Sequence, residues 1–535
     1  MSHPHRGPGF LLWLSRLAVL LLLGYILLAC APSAAAPTAV PEEELSLVIS
    51  IPNGPSTLDA HAATGSGESD IMDFIGATLV GLDAKGEIVP YLAESWKQSE
   101  DGLTWTFTLK SGITFQDGTP FTAQDYVYTF DRARNPELGG AAAEFLGPVI
   151  SYLAPNDTTL EITLAEPFFP FLRNLGFAHL MPLSQAEVER QGEAYGRHPM
   201  SVGPYRLTEW RDDDTIVLER NPDFHWGPTY APQEEYALDR VEFRVIPDPS
   251  DQLVALEAGE IDLLQLDPLH MRQTQPLLGE YNILEYVLAG AAPMGAFNVQ
   301  AAPVDDERVR QAINLAVDRE GVLQAVARGE GEAQCGPLSS SVAGYWSGVE
   351  DFGCDFDVER AEALLEEAGY VQREDGAMAR DGEPLVLSII ATPDHKATAE
   401  FIKEQLGEVG VQVEVETPEN FGERLFSGEY NLALFDIIYS EADILYLLYH
   451  STDFLFPVSH STNAELDALL EQTRSLQDPE ARQEAVNQAQ QYIMEHAYML
   501  PLYTPRRQVA VSQDIKGLLL RPDGSILYEG ISHGP

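Results

Sequence analysis

The chain has 535 residues with 83 acidic against 32 basic side chains, a formal net charge of −51. That balance excludes nucleic acid as a partner, because a phosphate backbone needs a basic footprint; it reads as a solvated acidic surface or as an attraction for cationic ligands. A hydrophobic content of 45% over this length supplies cores for two or three domains.

Arg6 and Arg16 precede an apolar run from Leu17 to Ala29, which ends Leu27-Leu-Ala-Cys30. The run is short for a membrane span, and a small residue stands before the cysteine, as at a signal-peptide cleavage site. The arrangement resembles a bacterial lipobox, in which Cys30 is acylated and becomes the mature N-terminus. The alternative is a permanent anchor helix; both put the bulk of the chain outside the cytoplasm. Residues 31–41, rich in alanine and proline, read as a flexible tether. Cys335 and Cys354 then remain, and outside the reducing cytosol they are expected to form a disulfide.

Residues 45–52 read as an apolar strand, and Ile71 to Leu82 has helical spacing. The stretch 86–133 opens with a short amphipathic turn ending in Trp96. Asp101-Gly102 marks a turn, and Leu103-Thr-Trp-Thr-Phe-Thr-Leu109 alternates with the period of a half-buried strand. Thr122-Ala-Gln-Asp125 is a capping start for a helix carrying Tyr126, Tyr128 and Phe130. A hairpin-like pair is expected around 157–164, and a helix over 251–258 stopped by Gly259. Asp305 or Asp306 caps a helix whose buried stripe is Val309, Ala312, Ile313 and Ala316. Asp357 caps another, with Ala361, Leu364, Leu365 and Ala368 inward and Gly369 at its end. Residues 385–391, 397–409 and 411–416 form a βαβ pattern, which implies a parallel pair with its crossover on one face. A long helix follows from Asp478 to Ala497.

The wording of several of these stretches carries a resemblance. Leu92-Ala-Glu-Ser-Trp96, Phe115-Gln-Asp-Gly118, Phe121-Thr-Ala-Gln-Asp125, Gly203-Pro-Tyr-Arg-Leu-Thr-Glu-Trp210 and the helix around Arg308-Val-Arg-Gln-Ala312 occur in an order that resembles the extracytoplasmic solute-binding proteins of the peptide/nickel class (family 5). The resemblance covers residues 45–510. It implies an α/β, two-lobed periplasmic-binding-protein (Venus-flytrap) fold with an extra middle domain. The implied division is 1–29 signal peptide, 30–44 tether, 45–82 with 201–290 and 501–535 as lobe one, 83–200 as middle domain, and 291–500 as lobe two. It also implies a monomeric, lipid-anchored receptor that takes a peptide or small-molecule ligand between its lobes and delivers it to ABC permease and ATPase subunits. A lipid-anchored enzyme or chaperone on the same scaffold, or a sensor docking on a membrane kinase, are the competing readings.

No nucleophile elbow, zinc-protease motif or phosphate-binding loop occurs, so no catalytic residue, metal site or cofactor is expected. Glu94 and Trp96 are read as packing and capping groups, and His450 and His460 as surface or pocket-rim residues. In the peptide receptors that the chain resembles, a second-lobe phrase holds an aspartate that pairs with the ligand's α-ammonium. The matching stretch here, 430–444, has Ser440 near that aspartate and keeps a second as Asp443, with Ile444 in place of a proline. Glu441 or Asp436 could replace the charge in a shifted register. The other reading is a ligand without a free amine, held by aromatic walls such as Tyr439, Tyr345 and Trp346 and by hydrogen bonds near Asn298.

Overall fold

The computed structural model describes residues 45–64, 66–211, 215–231, 236–266, 279–452, 458–522 and 524–533. The apolar leader, Cys30 and the alanine-proline stretch lie outside the described residues.

Among those residues, the apolar strand Ser46–Ile51 lies inside an eight-stranded sheet, parallel to Arg240–Val245 on one side and Leu263–Leu266 on the other. Ile216–Arg220 and Tyr205–Trp210 extend it one way; Tyr503–Ser512, Tyr281–Val287 and Gly331–Ala333 extend it the other. A four-stranded antiparallel sheet, in the order Ala93–Gln98, Thr104–Leu109, Thr159–Leu164 and Val149–Asn156, shares its core with this large sheet. Phe74, Phe107, Phe130, Tyr205 and Phe243 are buried together there, and truncating one such ring to alanine costs about 3–5 kcal/mol.

The second lobe is built on a five-stranded sheet in the order Gln412–Glu416, Val386–Ala391, Leu432–Ile438, Gly290–Phe297 and Met499–Pro501. Val386–Ala391 and Gln412–Glu416 are parallel, joined by the helix Lys396–Glu408. The chain leaves Leu406 through Gly410, whose φ of 78° suits a residue without Cβ. Separate clusters pack the two faces of this sheet: Val309, Leu387 and Ile402 on one, Met294, Leu445 and Ile493 on the other. The fold is therefore mixed α/β in two lobes. The chain passes from the large sheet to the smaller one at Leu288–Ala289 and returns at Leu502.

Most of the expected elements form for the expected reasons. Thr122 and Asp125 make a reciprocal capping box on the helix Ala123–Ala133. Asp306 is the residue that caps Glu307–Ala316, and Asp357 caps Val358–Glu367. Asp478 caps Pro479–Glu495. Cys335 and Cys354 are joined by a disulfide, with Cα atoms 4.7 Å apart.

Three expectations are corrected. The segment ending in Trp96 is a strand, Ala93–Gln98, because Trp96 pairs with Phe107 and Gln98 with Trp105 across the sheet. Ile71 to Leu82 is not one helix. The helix Ser66–Ile75 stops at Gly76, where a Cβ would lie 2.4 Å from the Met181 sulfur, and Val80–Leu82 is a short strand. A continuous apolar run cannot distinguish these by period alone. His450, expected at the surface or a pocket rim, is buried and stacked 4.2 Å from the Tyr446 ring, whereas His460 is half-buried. Strand Gly331–Ala333 pairs with Tyr503–Pro505 of the large sheet.

Candidate functional site

Two adjoining cavities lie where the sheets face each other. The larger, about 600 Å³, is walled by Ile49 and Ile51, by Leu263–Leu266, and by Arg507 and Val509 from the large sheet, with Asp436 and Ile438 opposite. The smaller, about 390 Å³, is walled by the helix Ser66–Ile75, by Phe145 and Phe177, and by Tyr91, Tyr230, Tyr439, Tyr528 and Glu529. Asp70, Asp73, Gln265, Leu288, Ile438 and Gly524 border both, so the two form one cleft. Strand ends and crossovers place these groups together, the common position for a binding cleft between lobes.

Carboxylates dominate the polar lining: Glu68, Asp70, Asp73, Asp436 and Glu529, against Arg507 and Arg521. His179 also borders the cleft, and burial, only partly opposed by Glu68, pulls it down to about 4, so it is neutral. Glu68 accepts hydrogen bonds from the Ser56 amide and hydroxyl at 3.2 and 3.3 Å. Asp436 Oδ1 lies 2.7 Å from His395 Nε2. Burial works against its charged form, but the hydrogen bond and charge of His395, with Arg507, hold the carboxyl below its ordinary range.

The sequence-derived candidates divide. Asp436 borders the larger cavity, and Tyr439 and Ser440 border the smaller; Tyr439 also faces the Phe177 ring at 6.4 Å. The other five line neither cavity. Glu441 is buried against Arg482, and its second oxygen accepts the Asp443 amide at 2.6 Å. Asp443 receives a fork of hydrogen bonds from Arg474 at 2.6 and 2.9 Å. Asn298 donates to the Gly428 carbonyl at 2.8 Å. Tyr345 packs on the second-lobe core, and Trp346 lies 6.1 Å from Phe352 beside Gly348. The arginines that hold Glu441 and Asp443 also reach across to the other lobe. Arg482 sits 4.1 Å over the Phe169 ring, and the Arg474 carbonyl accepts the Phe169 amide at 2.7 Å.

Sequence reasoning missed Tyr91, Tyr230, Arg521, Tyr528 and Glu529. The last three sit in a C-terminal stretch of two-residue strands, where no periodicity marks them. The acids of the helix Ser66–Ile75 were visible as residues but not as cleft groups.

A profile of the family described as "Bacterial extracellular solute-binding proteins, family 5 Middle" matches residues 87–454. The heme-binding protein A of Haemophilus influenzae is 28% identical over 479 residues, covering 83% of this chain and 84% of that one. The nickel-binding periplasmic protein of Escherichia coli (strain K12) is 30% identical over 416 residues, 73% of each chain. Among solved structures, the ABC transporter-associated periplasmic binding protein DppA from Helicobacter pylori, in complex with peptide STSA, superposes with a TM-score of 0.75. It is 25% identical, over 90% of this chain and 98% of that one.

Proposed function

Because the chain belongs to the family 5 bacterial extracellular solute-binding proteins, we propose that it captures a short peptide in the interlobe cleft and hands it to the permease of an ABC importer. The observation that carries the peptide reading is the lining of the cleft: five carboxylates against two arginines, between tyrosine and phenylalanine walls. An excess of carboxylates in a partly desolvated space favours a ligand bearing an ammonium group and disfavours a polyanion. Backbone edges and aromatic faces supply contacts that tolerate varied side chains.

In this reading the receptor is a monomer held beside its permease by acylation at Cys30, with residues 31–44 as the tether. Two acyl chains or more hold a protein on a membrane far better than one. Cys30→Ser is expected to release the protein from the membrane fraction or to leave its leader uncleaved. Normal cleavage with unchanged membrane retention would overturn the anchor.

The test of ligand class is native mass spectrometry of protein purified without denaturant, followed by melting curves with the identified compound. A retained peptide that raises Tm without being hydrolysed supports the proposal. A retained metal complex or porphyrin, with no peptide captured from a synthetic pool, overturns the peptide reading.

A further inference from the structure

We propose that Glu529 and the tyrosines around it form the part of the ligand site that takes an ammonium group. The inference deepens the peptide reading and rests on it. The Glu529 carboxylate accepts hydrogen bonds at Oε1 from the hydroxyls of Tyr230 and Tyr236, at 3.3 and 3.5 Å. Its other oxygen, Oε2, is buried and receives no hydrogen bond among the described residues. A buried carboxylate oxygen without a donor is unfavourable, and native structures keep such groups chiefly where something else completes them. Here the residue borders the smaller cavity, where a ligand would lie.

The rings fix what kind of donor fits. Tyr91, Tyr230 and Tyr528 line the same cavity as Glu529. Tyr528 is held in place by stacking on Phe74, with centroids 4.0 Å apart, and by donating its hydroxyl to the Asp73 carbonyl at 2.5 Å. Tyrosine faces attract organic cations, more strongly where water is excluded. Burial pushes the Glu529 carboxyl pKa up, with Arg521 working the other way. Arg521 itself donates to the Leu82 carbonyl at 3.0 Å, to Ser525 at 3.3 Å and to Tyr230 at 3.4 Å. An ammonium would supply both the hydrogen bond that Oε2 lacks and the charge that favours ionised Glu529. A metal ion suits the corner less well: among the described residues no group of three or more His, Cys, Asp or Glu is placed to hold one. Neither Glu441 nor Asp443 competes for the role, since each is already engaged with an arginine.

The experiment offers wild-type protein and Glu529→Gln a pool of synthetic tri- and tetrapeptides with free N-termini, together with the same peptides N-acetylated. Captured peptides are identified by mass spectrometry after gel filtration, and their Kd is measured by calorimetry. The expected result is capture of free-amine peptides only, with affinity at least tenfold weaker in Glu529→Gln at a similar Tm. Equal capture of free and acetylated peptides overturns the ammonium site and leaves the peptide reading standing. Free-amine selectivity that survives unchanged in Glu529→Gln does the same, placing the amine elsewhere. Capture of no peptide by wild type overturns the peptide reading and this inference with it. Should Glu529→Gln not fold, Tyr230→Phe carries the test, because it removes one hydroxyl from Oε1 and keeps the ring. A threefold or greater loss for free-amine peptides is then expected, and no loss overturns the proposal.

Discussion

At the scale of single residues, the informative groups are buried and charged. Glu441 and Asp443 read in the sequence as ligand carboxylates, yet each is matched to an arginine within its own lobe. Leaving one partner of a buried pair uncompensated costs about 3–5 kcal/mol. Glu441→Gln is therefore expected to lower stability to urea by about 3 kcal/mol. Asp443→Asn should cost less, since Arg474 is more exposed than Arg482, 20% against 8%. Equilibrium unfolding measures both, and a variant as stable as wild type would show that the pair contributes nothing. His61 is a second case. Burial first, and then Arg132, pulls it down to about 3, and among the described residues neither ring nitrogen has a hydrogen-bond partner. His179 lies at about 4. Both are neutral in the folded protein but titrate near 6.5 when unfolded, so below that pH the unfolded chain binds more protons. Their contribution is complete above about pH 6.5 and is lost as pH falls toward 4, by about 1.4 kcal/mol per pH unit for each histidine. His61→Leu should flatten the dependence of the urea midpoint on pH between 6 and 4. An unchanged slope would mean that His61 does not contribute.

At the scale of elements, the sequence was most legible where local chemistry and burial agree. Thr122 with Asp125, Asp357 and Asp478 cap helices for reasons visible within four residues. The alternation of Trp105, Phe107 and Leu109 defined a strand before its neighbours were known, because one side of that sheet is core. Legibility failed at Ile71–Leu82, where apolar residues suit helix and strand equally and the close packing of Gly76 on the distant Met181 is not visible in the sequence. The disulfide belongs to this scale as well. It closes a loop with a sequence separation of 19 and pins Gly353 beneath the Cys335 carbonyl. Loop-closure entropy puts its stabilisation at about 3 kcal/mol. Cys335→Ser with Cys354→Ser should lose that amount in equilibrium unfolding. Two free thiols titrated in the native oxidised wild type would show that the bridge does not form.

At the scale of the molecule, the proposed function depends on how two lobes meet. Arg482 over Phe169, the Phe169 amide on Arg474, and Gln98 on Gln477 at 2.9 Å link the part of the chain carrying the four-stranded sheet to the second lobe. None of these residues borders the cleft. Phe169→Ala is expected to shift the lobes toward an open state, raising the radius of gyration in small-angle scattering. Ligand affinity should weaken about fivefold to tenfold, roughly 1–1.4 kcal/mol, chiefly through faster release. The same scattering curve and Kd as wild type would show that this contact does not bias closure. Caps and hydrophobic period by themselves determined most of the α/β elements, though not Ile71–Leu82 or the strand through Trp96, and the resemblance carried by the order of the motifs pointed to the two-lobed family. Those signals are local, and each is set by residues within a turn or two of one another. Which carboxylates face the cleft was decided only by tertiary structure. Ser440 and Glu441 are neighbours in sequence, yet one borders the cleft and the other is buried on Arg482, 41 residues away. Glu529 reaches Tyr230 across 299 residues. No pattern within one element encodes a pairing between groups that far apart; burial of the shared core brings them together.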